Sequence, residues 1–496
     1  MEPIASSLRN PYVWLGVAGT GLVAWGSANG EYAYAATGWP NAGVAFFGGL
    51  APMPLDKIFI IVGVALLSWA WWQVRPRRGV PPIHAGTALA LWSLPLLFTA
   101  PVLSMDPALY ADLGWIQLQG LNPYDVGLTG AGGPFAGQVD SLWAGRGVAY
   151  PPLALLVHKA VVALAGAHPW WSIIGMRLPV LLSVAVMGWA IPRIADLLGR
   201  ARPEPAPAGS TQPVAAQPPR VAVRSSRPTP PVKTSPVETS RVSRTPAPRA
   251  AGWLGLLNPL LVIHFIGGAH NDAPMLAVTL VALWLVLRFP RPVVSLVAAP
   301  ILVGVAMALK QQGGLAVVAV AALPVAARLA ALPLLPRLKL LGWRTAIATA
   351  VALVTFAGIC VASGLGFGWL SWLDLMGAAP TPAPLPTVVK GIAWVIELVG
   401  LDSTGFQVVA GVASTLIMIA VLGWVRVRFS DRPLSALAWG ALVVVVGGQA
   451  LHPWYLPWAL ALLGLVPLTR TQRRWVYGFA LGFVNWNAIQ TAILHR

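Results

Sequence analysis

Acidic side chains are scarce in this chain, which has only 15 Asp and Glu among 496 residues. Three of them, Asp106, Asp112 and Asp125, lie in one stretch that follows an apolar run. A carboxylate placed where a helix leaves a bilayer is costly to keep unless it is used. Asp106 lies nearest to the apolar run, and we expect it to act as a general base that accepts a proton from an attacking hydroxyl.

Cationic and imidazole side chains recur in later turns between apolar runs. A phosphate that departs as a leaving group needs positive charge, which arginine supplies as a bidentate fork and lysine as a point charge. The candidates for such a phosphate site are Arg177, Lys310 and His452. Each stands at the end of an apolar run, at what we expect to be one membrane depth.

A second group of side chains suits a sugar. Sugar rings offer hydroxyls for hydrogen bonds and apolar C–H faces for aromatic rings. The residues of this type near the same membrane depth are Asn122, Asn271, Asp272, Trp454 and Tyr455. A base, a phosphate site and sugar-binding groups together are what glycosyl transfer from a lipid phosphate requires.

Each of these residues also has a plainer interpretation. Lys310 could extend to the lipid headgroups, and Arg177 could pair with an acid such as Asp112. His270 and His452 could complete helix ends by hydrogen bonding. The aromatic pair after His452 could belong to an interfacial belt.

Neither a metal site nor a cofactor is predicted. The chain has no paired histidines at helical spacing and no tight carboxylate cluster, which are the usual patterns for zinc and calcium. A divalent ion shared by Asp106 and Asp112 is the remaining alternative. The single cysteine, Cys360, excludes a disulfide framework and a thiolate metal site.

Composition predicts an all-α polytopic membrane protein. Hydrophobic residues make up 57% of the chain and charged residues 10%, against roughly 25% charged residues in soluble domains. The mean hydropathy is +0.71. Runs of about 20 apolar residues predict about 13 membrane-spanning helices. Their expected bounds are 12–28, 57–74, 84–103, 174–198, 252–268, 272–288, 292–309, 313–331, 344–364, 405–425, 433–450, 455–469 and 475–493.

The charge pattern predicts topology rather than a nucleic-acid partner. A net charge of +18 would suggest nucleic acid in a soluble protein, but the basic residues here cluster between apolar runs. They fall on one side if the N-terminus is cytoplasmic, and most acids then face outward. This topology requires that residues 151–166 form a helix at the outer surface, with His158 and Lys159 at the headgroups. Residues 385–401 are interpreted in the same way.

A Pro-, Ser-, Thr- and Arg-rich segment divides the chain. Residues 201–250 show no periodicity and are expected to form a disordered basic cytoplasmic loop, either an inert linker or a contact with anionic lipid. It separates a first transmembrane module, 1–200, which carries the polar loop 104–150, from a second, 251–496. The N-terminal residues 1–10 show no cleavable signal pattern.

Short polar and proline-containing motifs follow one another at the ends of the predicted spans. They are Ser104-x-Asp106-x-x-x-Tyr110, Gly120-Leu-Asn122-Pro123-Tyr124, Tyr150-Pro-Pro152-Leu, Leu257-Asn258-Pro259, Gly267-Gly-Ala-His270-Asn271-Asp272, Ala308-Leu-Lys310 and Pro453-Trp454-Tyr455. In combination they resemble the C-type, multi-spanning glycosyltransferases. Within that class they look most like the actinobacterial polyprenol-phosphomannose-dependent α-1,6-mannosyltransferases.

The resemblance implies a fold, a location and two substrates. The fold would be the C-type one, with outward-facing juxtamembrane helices. The protein would lie in the cell membrane with its active site outside. The donor would be polyprenyl-phosphate mannose, and the acceptor a lipid-linked mannan of the lipomannan or lipoarabinomannan type.

The resemblance also implies residue roles. Asp106 would be the base on the acceptor's primary hydroxyl, in a single inverting displacement. Lys310 and Arg177 would hold the phosphate. The sugar and acceptor site would include residues 270–272 together with Tyr124 and Tyr150.

Two other functions are open at this point. The same fold could transfer another sugar, such as arabinofuranose or glucose, from its polyprenyl phosphate. A lipid or solute transporter is the alternative from another class. Transporters place charges near the midplane and often have repeated halves, whereas the polar groups here lie at span ends.

Overall fold

The computed structural model describes residues 2–28, 43, 46, 48–77, 83–200, 248–377 and 382–494. Within these residues the regular structure is helical and contains no strand, as composition predicts. The basic segment 201–250 lies outside the described residues except for its last three positions. Its expected disorder and lipid contact therefore stay predictions.

The first half of the chain forms helices of very different lengths. Several begin at a proline, whose fixed φ and missing N–H suit the first helical position; Asn10 caps one of these by accepting from the backbone of Tyr12. The helices are α1 Glu2–Arg9, α2 Pro11–Gly26, α3 Leu55–Gln73, α4 Ala85–Ser93, α5 Asp106–Leu118, α6 Pro123–Val126, α7 Pro152–Leu164, α8 Pro169–Gly175 and α9 Arg177–Arg200.

The second half contains the longest helices and two π-helical stretches, Leu261–Gly267 and Val294–Ala298. Its α-helices are α10 Pro248–Leu256, α11 Asp272–Arg288, α12 Ala299–Leu309, α13 Val317–Ala322, α14 Ala326–Ala331, α15 Leu334–Ala362, α16 Pro384–Leu398, α17 Thr404–Arg428, α18 Pro433–Gly447, α19 Leu456–Leu463 and α20 Arg470–Leu494.

Fewer helices than predicted qualify as membrane spans by length and composition. Five do so in the described part of the chain: 55–73, 169–200, 311–331, 334–362 and 404–428. A sixth exists if α10 and the following π-helix count as one span bent by 57°. The expected number of about 13 is therefore not confirmed, because most of the other apolar runs form helices of 8 to 17 residues.

The two helices expected at the membrane surface exist as separate elements. α7 has 13 residues and α16 has 15, so each is only about 20 Å long. A hydrocarbon core is about 30 Å thick. Neither helix is long enough to cross a bilayer alone, while their position relative to the membrane stays a prediction.

The membrane helices pack through small residues and one tryptophan pair. α2 and α3 approach so closely that a Cβ on Gly19 would lie 2.7 Å from the carbonyl oxygen of Gly63, as is common where helices pack in lipid. Trp71 and Trp253 stack at 4.2 Å, and each indole donates to the other's carbonyl. The tryptophan contact joins the two halves of the chain.

A smaller apolar cluster surrounds the polar loop and borders the membrane bundle. It is built by α5, α7 and α8. The backbones of α5 and α7 nearly touch, since a Cβ on Gly114 would lie 2.7 Å from the carbonyl of His158. Tyr110 belongs to this cluster, together with Ala269 and Ala308 of the second half. The loop is thereby fixed against the turns that precede α11 and follow α12.

Candidate active site

Asp106 is the first residue of α5, and Pro107 follows it. A carboxylate is favoured there because the helix dipole places positive partial charge at the N-terminus. The backbone N–H of Asp106 donates to the Ser104 hydroxyl at 3.2 Å, and Oδ2 accepts from the Tyr110 hydroxyl at 3.0 Å. The Asp106 side chain is 19% exposed. The carboxylate is therefore hydrogen-bonded to the protein and still partly accessible to solvent.

His270 approaches the same oxygen of Asp106 that accepts from Tyr110. Its Nδ1 is 3.3 Å from Oδ2 of Asp106, and the imidazole is fully buried. The two atoms are close enough to attract each other, although the ring is not aligned for a hydrogen bond. The turn that presents His270 is tight, because Ala269 has a φ of 51°. The sequence predicted a sugar-binding role for His270, and the structure places it against the base.

These contacts decide the ionisation of Asp106. Burial alone would raise the pKa of its carboxyl, but contact with His270, the nearby His452 and the Tyr110 hydroxyl together bring that pKa below its ordinary value. The carboxylate is consequently charged at neutral pH. A charged, partly exposed carboxylate is the state that a general base requires.

Lys310 and Asp272 form a buried ion pair beside this group. Nζ of Lys310 lies 2.7 Å from Oδ1 of Asp272. Lys310 is 4% exposed and Asp272 fully buried, so Lys310 does not extend to the headgroups. Its ammonium also faces the rings of Tyr455, at 4.6 Å, and Trp458, at 5.3 Å. Oδ2 of Asp272 has no hydrogen-bond partner within the described structure.

Three rings form a column behind Asp106. His270 stacks on Trp454 at 3.9 Å with an angle of 15°, and Trp454 stacks on His452 at 4.4 Å with an angle of 12°. Burial lowers the pKa of His452 to about 3, so this ring is neutral at pH 7. A neutral imidazole offers a phosphate a hydrogen bond rather than a charge, and the phosphate-binding role of His452 stays a prediction.

Arg177 does not join the site. It is 3% exposed, and its five N–H groups donate to five backbone carbonyls. These carbonyls belong to Leu97, Thr99, Ala100, Ile266 and Gly267. The predicted phosphate-binding role is not supported, because every guanidinium donor is already used, and pairing with Asp112 is not observed. Arg177 instead connects residues 97–100 to residues 266–267, which precede His270, by hydrogen bonds.

The loop residues support the site from behind. Asn122 caps α6 by accepting from the backbone N–H of Tyr124. The Tyr124 hydroxyl donates to the carbonyl of Tyr150 at 2.6 Å. The Tyr150 ring meets Tyr110 edge-on at 5.8 Å and lies 5.9 Å from Nζ of Lys310. Tyr150 thus faces the site, whereas Asn122 and Tyr124 position it.

Two residues near the base were not among the sequence candidates for the site. Tyr110 stands four positions after Asp106, the spacing that puts two side chains on one helix face, so this contact was open to prediction. Its ring stacks on His158 at 4.5 Å. His158 is 2% exposed, so its ring packs inside the protein, while its expected depth at the headgroups stays a prediction. Burial lowers the pKa of His158 to about 3.

A small, mostly apolar cavity lies beside Tyr110. Its polar lining comes from Tyr110, His158 and Asn271. Nδ2 of Asn271 and Nδ1 of His158 are buried and lack hydrogen-bond partners among the described groups. The remaining lining residues are Ala154, Val157, Met176, Pro179, Val180, Ala269, Pro274 and Leu309.

The geometry does not bring Asp112 to Asp106. The two lie six positions apart on α5 and so point to different sides of the helix. Oδ2 of Asp112 accepts from the backbone N–H of Thr129 at 2.7 Å, which fixes the loop. Within the described residues, no three His, Cys, Asp or Glu side chains are grouped as metal ligands.

Comparison with known proteins gives relatives of one kind. The α-(1→6)-mannopyranosyltransferase A of Mycobacterium tuberculosis is 28% identical over 433 residues, covering 83% of this chain and 70% of the relative. Its namesake from Corynebacterium glutamicum is 25% identical over 454 residues, covering 86% and 81%. The α-(1→6)-mannopyranosyltransferase B of that organism is 24% identical over 475 residues, covering 87% and 68%.

A solved structure, the oligosaccharyltransferase of Archaeoglobus fulgidus, matches with a TM-score of 0.32 and 12% identity. The alignment covers 87% of this chain and 53% of the oligosaccharyltransferase chain. A likeness this weak supports no conclusion. The model of one protein family, described as α-(1→6)-mannopyranosyltransferase, N-terminal domain, matches residues 13–216 and 241–326. These residues are more than half of the chain and include Asp106, His270, Asp272 and Lys310. The chain therefore belongs to this family of α-(1→6)-mannopyranosyltransferases.

Proposed function

We propose that this protein is an inverting mannosyltransferase that uses polyprenyl-phosphate mannose as donor and extends the α-1,6 backbone of a lipid-linked mannan. The observation that carries the proposal is the pairing of two groups in one site. A charged, partly exposed carboxylate, Asp106, contacts His270, and a buried cation, Lys310, pairs with Asp272 two positions further along the same turn. The family and the names of the relatives support mannose as the sugar.

The reaction needs one proton transfer and one displacement. Asp106 takes the proton of the acceptor's primary hydroxyl as the oxygen attacks the anomeric carbon. The bond from that carbon to the phosphate oxygen breaks, and its electron pair leaves with the polyprenyl phosphate. Attack from the face opposite the phosphate converts a β-linked mannosyl phosphate into an α-linked product.

Lys310 is suited to the leaving phosphate. As polyprenyl phosphate departs it gains negative charge, which a preorganised cation stabilises most strongly in a site that excludes water. The ammonium is held between Asp272 and the rings of Tyr455 and Trp458. One of its three N–H donors is used by Asp272, which leaves capacity for phosphate oxygens.

The groups around the two charges are suited to a sugar ring. The amide nitrogen of Asn271 is buried and lacks a partner in the described chain, and amides commonly bind sugar hydroxyls. Both faces of Trp454 are covered by His270 and His452, so among the aromatic candidates Tyr150, whose ring lies 5.9 Å from Nζ of Lys310, is better placed to offer a face to C–H groups. The second oxygen of Asp272 offers one more acceptor.

The charges at helix ends favour an active site on the outer face. α11 begins at Asp272 in the site and ends at Arg288. α9 likewise begins at Arg177 and ends at Arg200. Arg and Lys are enriched on the cytoplasmic side of membrane proteins, so the ends remote from the site would be cytoplasmic. A donor in the outer leaflet and a growing mannan outside the cell agree with this orientation.

The test is transfer by membranes that contain the protein. We would supply polyprenyl-phosphate mannose and a short α-1,6-mannoside, then determine the linkage of the product by exo-mannosidase digestion and methylation. An α-1,6-linked product is expected. Parallel reactions contain polyprenyl-phosphate arabinofuranose or glucose. Transfer only from one of these would reject mannose, and no transfer from any donor would reject the proposed function.

A further inference from the structure

The two contacts of the Asp106 carboxylate fall on the same oxygen. Tyr110 donates to Oδ2 at 3.0 Å, and Nδ1 of His270 lies 3.3 Å from that same atom. No hydrogen bond to Oδ1 is found within the described residues, and the side chain keeps 19% exposure. The contacts of the protein thus converge on one carboxylate oxygen, while the other has no hydrogen bond from the described residues and the side chain as a whole stays partly accessible.

His270 is itself held firmly in place. Its ring stacks on Trp454, which stacks in turn on His452. The backbone N–H of His270 donates to the carbonyl of His264 at 3.3 Å. The opposite edge of the ring is closed by Gly268, since a Cβ there would lie 3.0 Å from Cδ2 of His270. The imidazole therefore has little freedom to leave Asp106.

The burial of His270 is costly unless the ring has a use. Its Nε2 has no hydrogen-bond partner among the described groups. Burying a polar group without a partner costs free energy, commonly about 1–3 kcal/mol in proteins. A phenyl ring would satisfy the stacking without this cost. The nitrogen that approaches Asp106 is the feature that distinguishes histidine at this position.

We propose that His270 is a positioning residue for the Asp106 base: it holds Oδ2 together with Tyr110, so that Oδ1 is presented to the acceptor hydroxyl. This inference rests on the proposed function. In the reaction, Oδ1 receives the acceptor's proton while the new carbon–oxygen bond forms and the phosphate leaves. His270 touches no reacting atom and acts through Asp106. As a second consequence, it keeps the carboxylate charged between turnovers.

The pH dependence of the rate reports this role. The groups that influence Asp106 come from every neighbouring element, and they are Tyr110, Tyr150, His158, His270, Asp272, Lys310 and His452. His270 favours the charged form of Asp106, so its removal raises the pKa of the base. Since kcat/KM falls as pH drops through that pKa, the acid limb of the profile moves to higher pH.

The experiment compares two replacements that differ in where they place a donor. His270→Asn puts an amide nitrogen near the position of Nδ1, whereas His270→Gln puts it near that of Nε2. For H270Q we expect kcat to fall roughly 10²-fold, the usual cost of a misplaced catalytic group, with little change in donor KM. The acid limb of the kcat/KM profile of H270Q should move to higher pH by about one pH unit or more. H270N should keep more of the wild-type kcat, and its acid limb should move less.

His264→Gln is the matched control. His264 is the other buried imidazole near the column, with its ring centre 5.9 Å from that of His270. Its replacement should leave the acid limb unmoved. Equal rate losses in H270N, H270Q and H264Q, with no displacement of any limb, would overturn the positioning role. Unchanged kcat in H270Q would do so as well.

Two further results separate this inference from the proposed function. If the wild-type protein transfers mannose and H270Q does so at the wild-type rate, the role of His270 is rejected and the proposed function stands. If the wild-type protein transfers nothing, the proposed function is rejected. If the variants do not fold, the wild-type profile still decides. An acid limb at or above about pH 5, well over the ordinary aspartate pKa of about 3.9, overturns the inference, and one below about pH 4 supports it.

Discussion

Nζ of Lys310 lies 2.7 Å from Oδ1 of Asp272, and both side chains are buried. The pair joins the end of α12 to the start of α11, 38 positions apart. A buried cation normally needs a counterion, and here the counterion leaves part of the ammonium unused. The protein thus holds a cation in an apolar site, where the proposed donor phosphate would meet it.

Removal of either partner should destabilise the protein and stop the reaction. Breaking a buried pair leaves one charge without compensation, which costs about 3–5 kcal/mol. Lys310→Met should lower the stability by this amount, as measured by thermal unfolding in detergent. Lys310→Met combined with Asp272→Asn should recover much of the stability, because no charge remains, yet should not recover transfer. Recovery of transfer in the double variant would show that Lys310 has only a structural role.

Arg177→Lys should affect stability more than donor use. The guanidinium donates to five carbonyls, and lysine cannot reproduce that fork. Hydrogen bonds from charged groups contribute about 1.5–3 kcal/mol each, so a loss of at least about 3 kcal/mol is expected. Arg193→Lys on the same helix is the control, because exposed Arg193 donates only to the carbonyl of Trp189. Normal stability with a raised donor KM would restore the predicted phosphate contact.

Trp454→Leu should reduce the rate more than the stability. The indole separates His270 from His452 in the column, and one aromatic pair contributes about 0.5–1.5 kcal/mol. Loss of the stack frees His270 and with it Asp106, so kcat should fall while unfolding changes little. Trp454→Phe should keep much of the rate. Trp475→Leu, at a 76% exposed position of α20, serves as control, and equal effects at both sites would contradict this prediction.

The stability should fall as the pH is lowered from 8 to 5. Burial lowers the pKa of His158 to about 3, below the ordinary value of about 6.5. The unfolded chain therefore takes up a proton through this window, whereas the folded protein does not. The resulting loss is about 2 kcal/mol at pH 5. His158→Phe keeps the ring against Tyr110 and should flatten the pH dependence of the midpoint of thermal unfolding; an unchanged dependence would contradict the assignment.

The sequence was sufficient to predict an all-helical membrane protein and some of the residues that come together in the candidate site. Scarce carboxylates and cations at the ends of apolar runs could be recognised one by one, because membrane depth restricts where they can lie. Asp106, His270, Asp272 and Lys310 do converge. Their pairing could not be predicted, since it depends on turns 38 to 164 positions apart in sequence.

Long-range backbone contacts account for the main corrections. Arg177 uses carbonyls from residues 77 to 90 positions away, which no local pattern reveals. The predicted number of spans is not confirmed for another reason. Apolar runs such as 252–268 are continuous in hydropathy, but the chain bends by 57° between α10 and the π-helix, where Asn258 and Pro259 interrupt regular hydrogen bonding.

The most direct test of the account is the effect of Asp106→Asn on mannosyl transfer. The replacement keeps the size of the side chain and removes the base, so transfer should fall about 10²–10⁴-fold at matched expression. Binding of polyprenyl-phosphate mannose should persist, because Lys310 is untouched. Asp125→Asn, at an exposed position of the same loop, should behave as wild type. Transfer by D106N at the wild-type rate would contradict the assignment of Asp106 as the base.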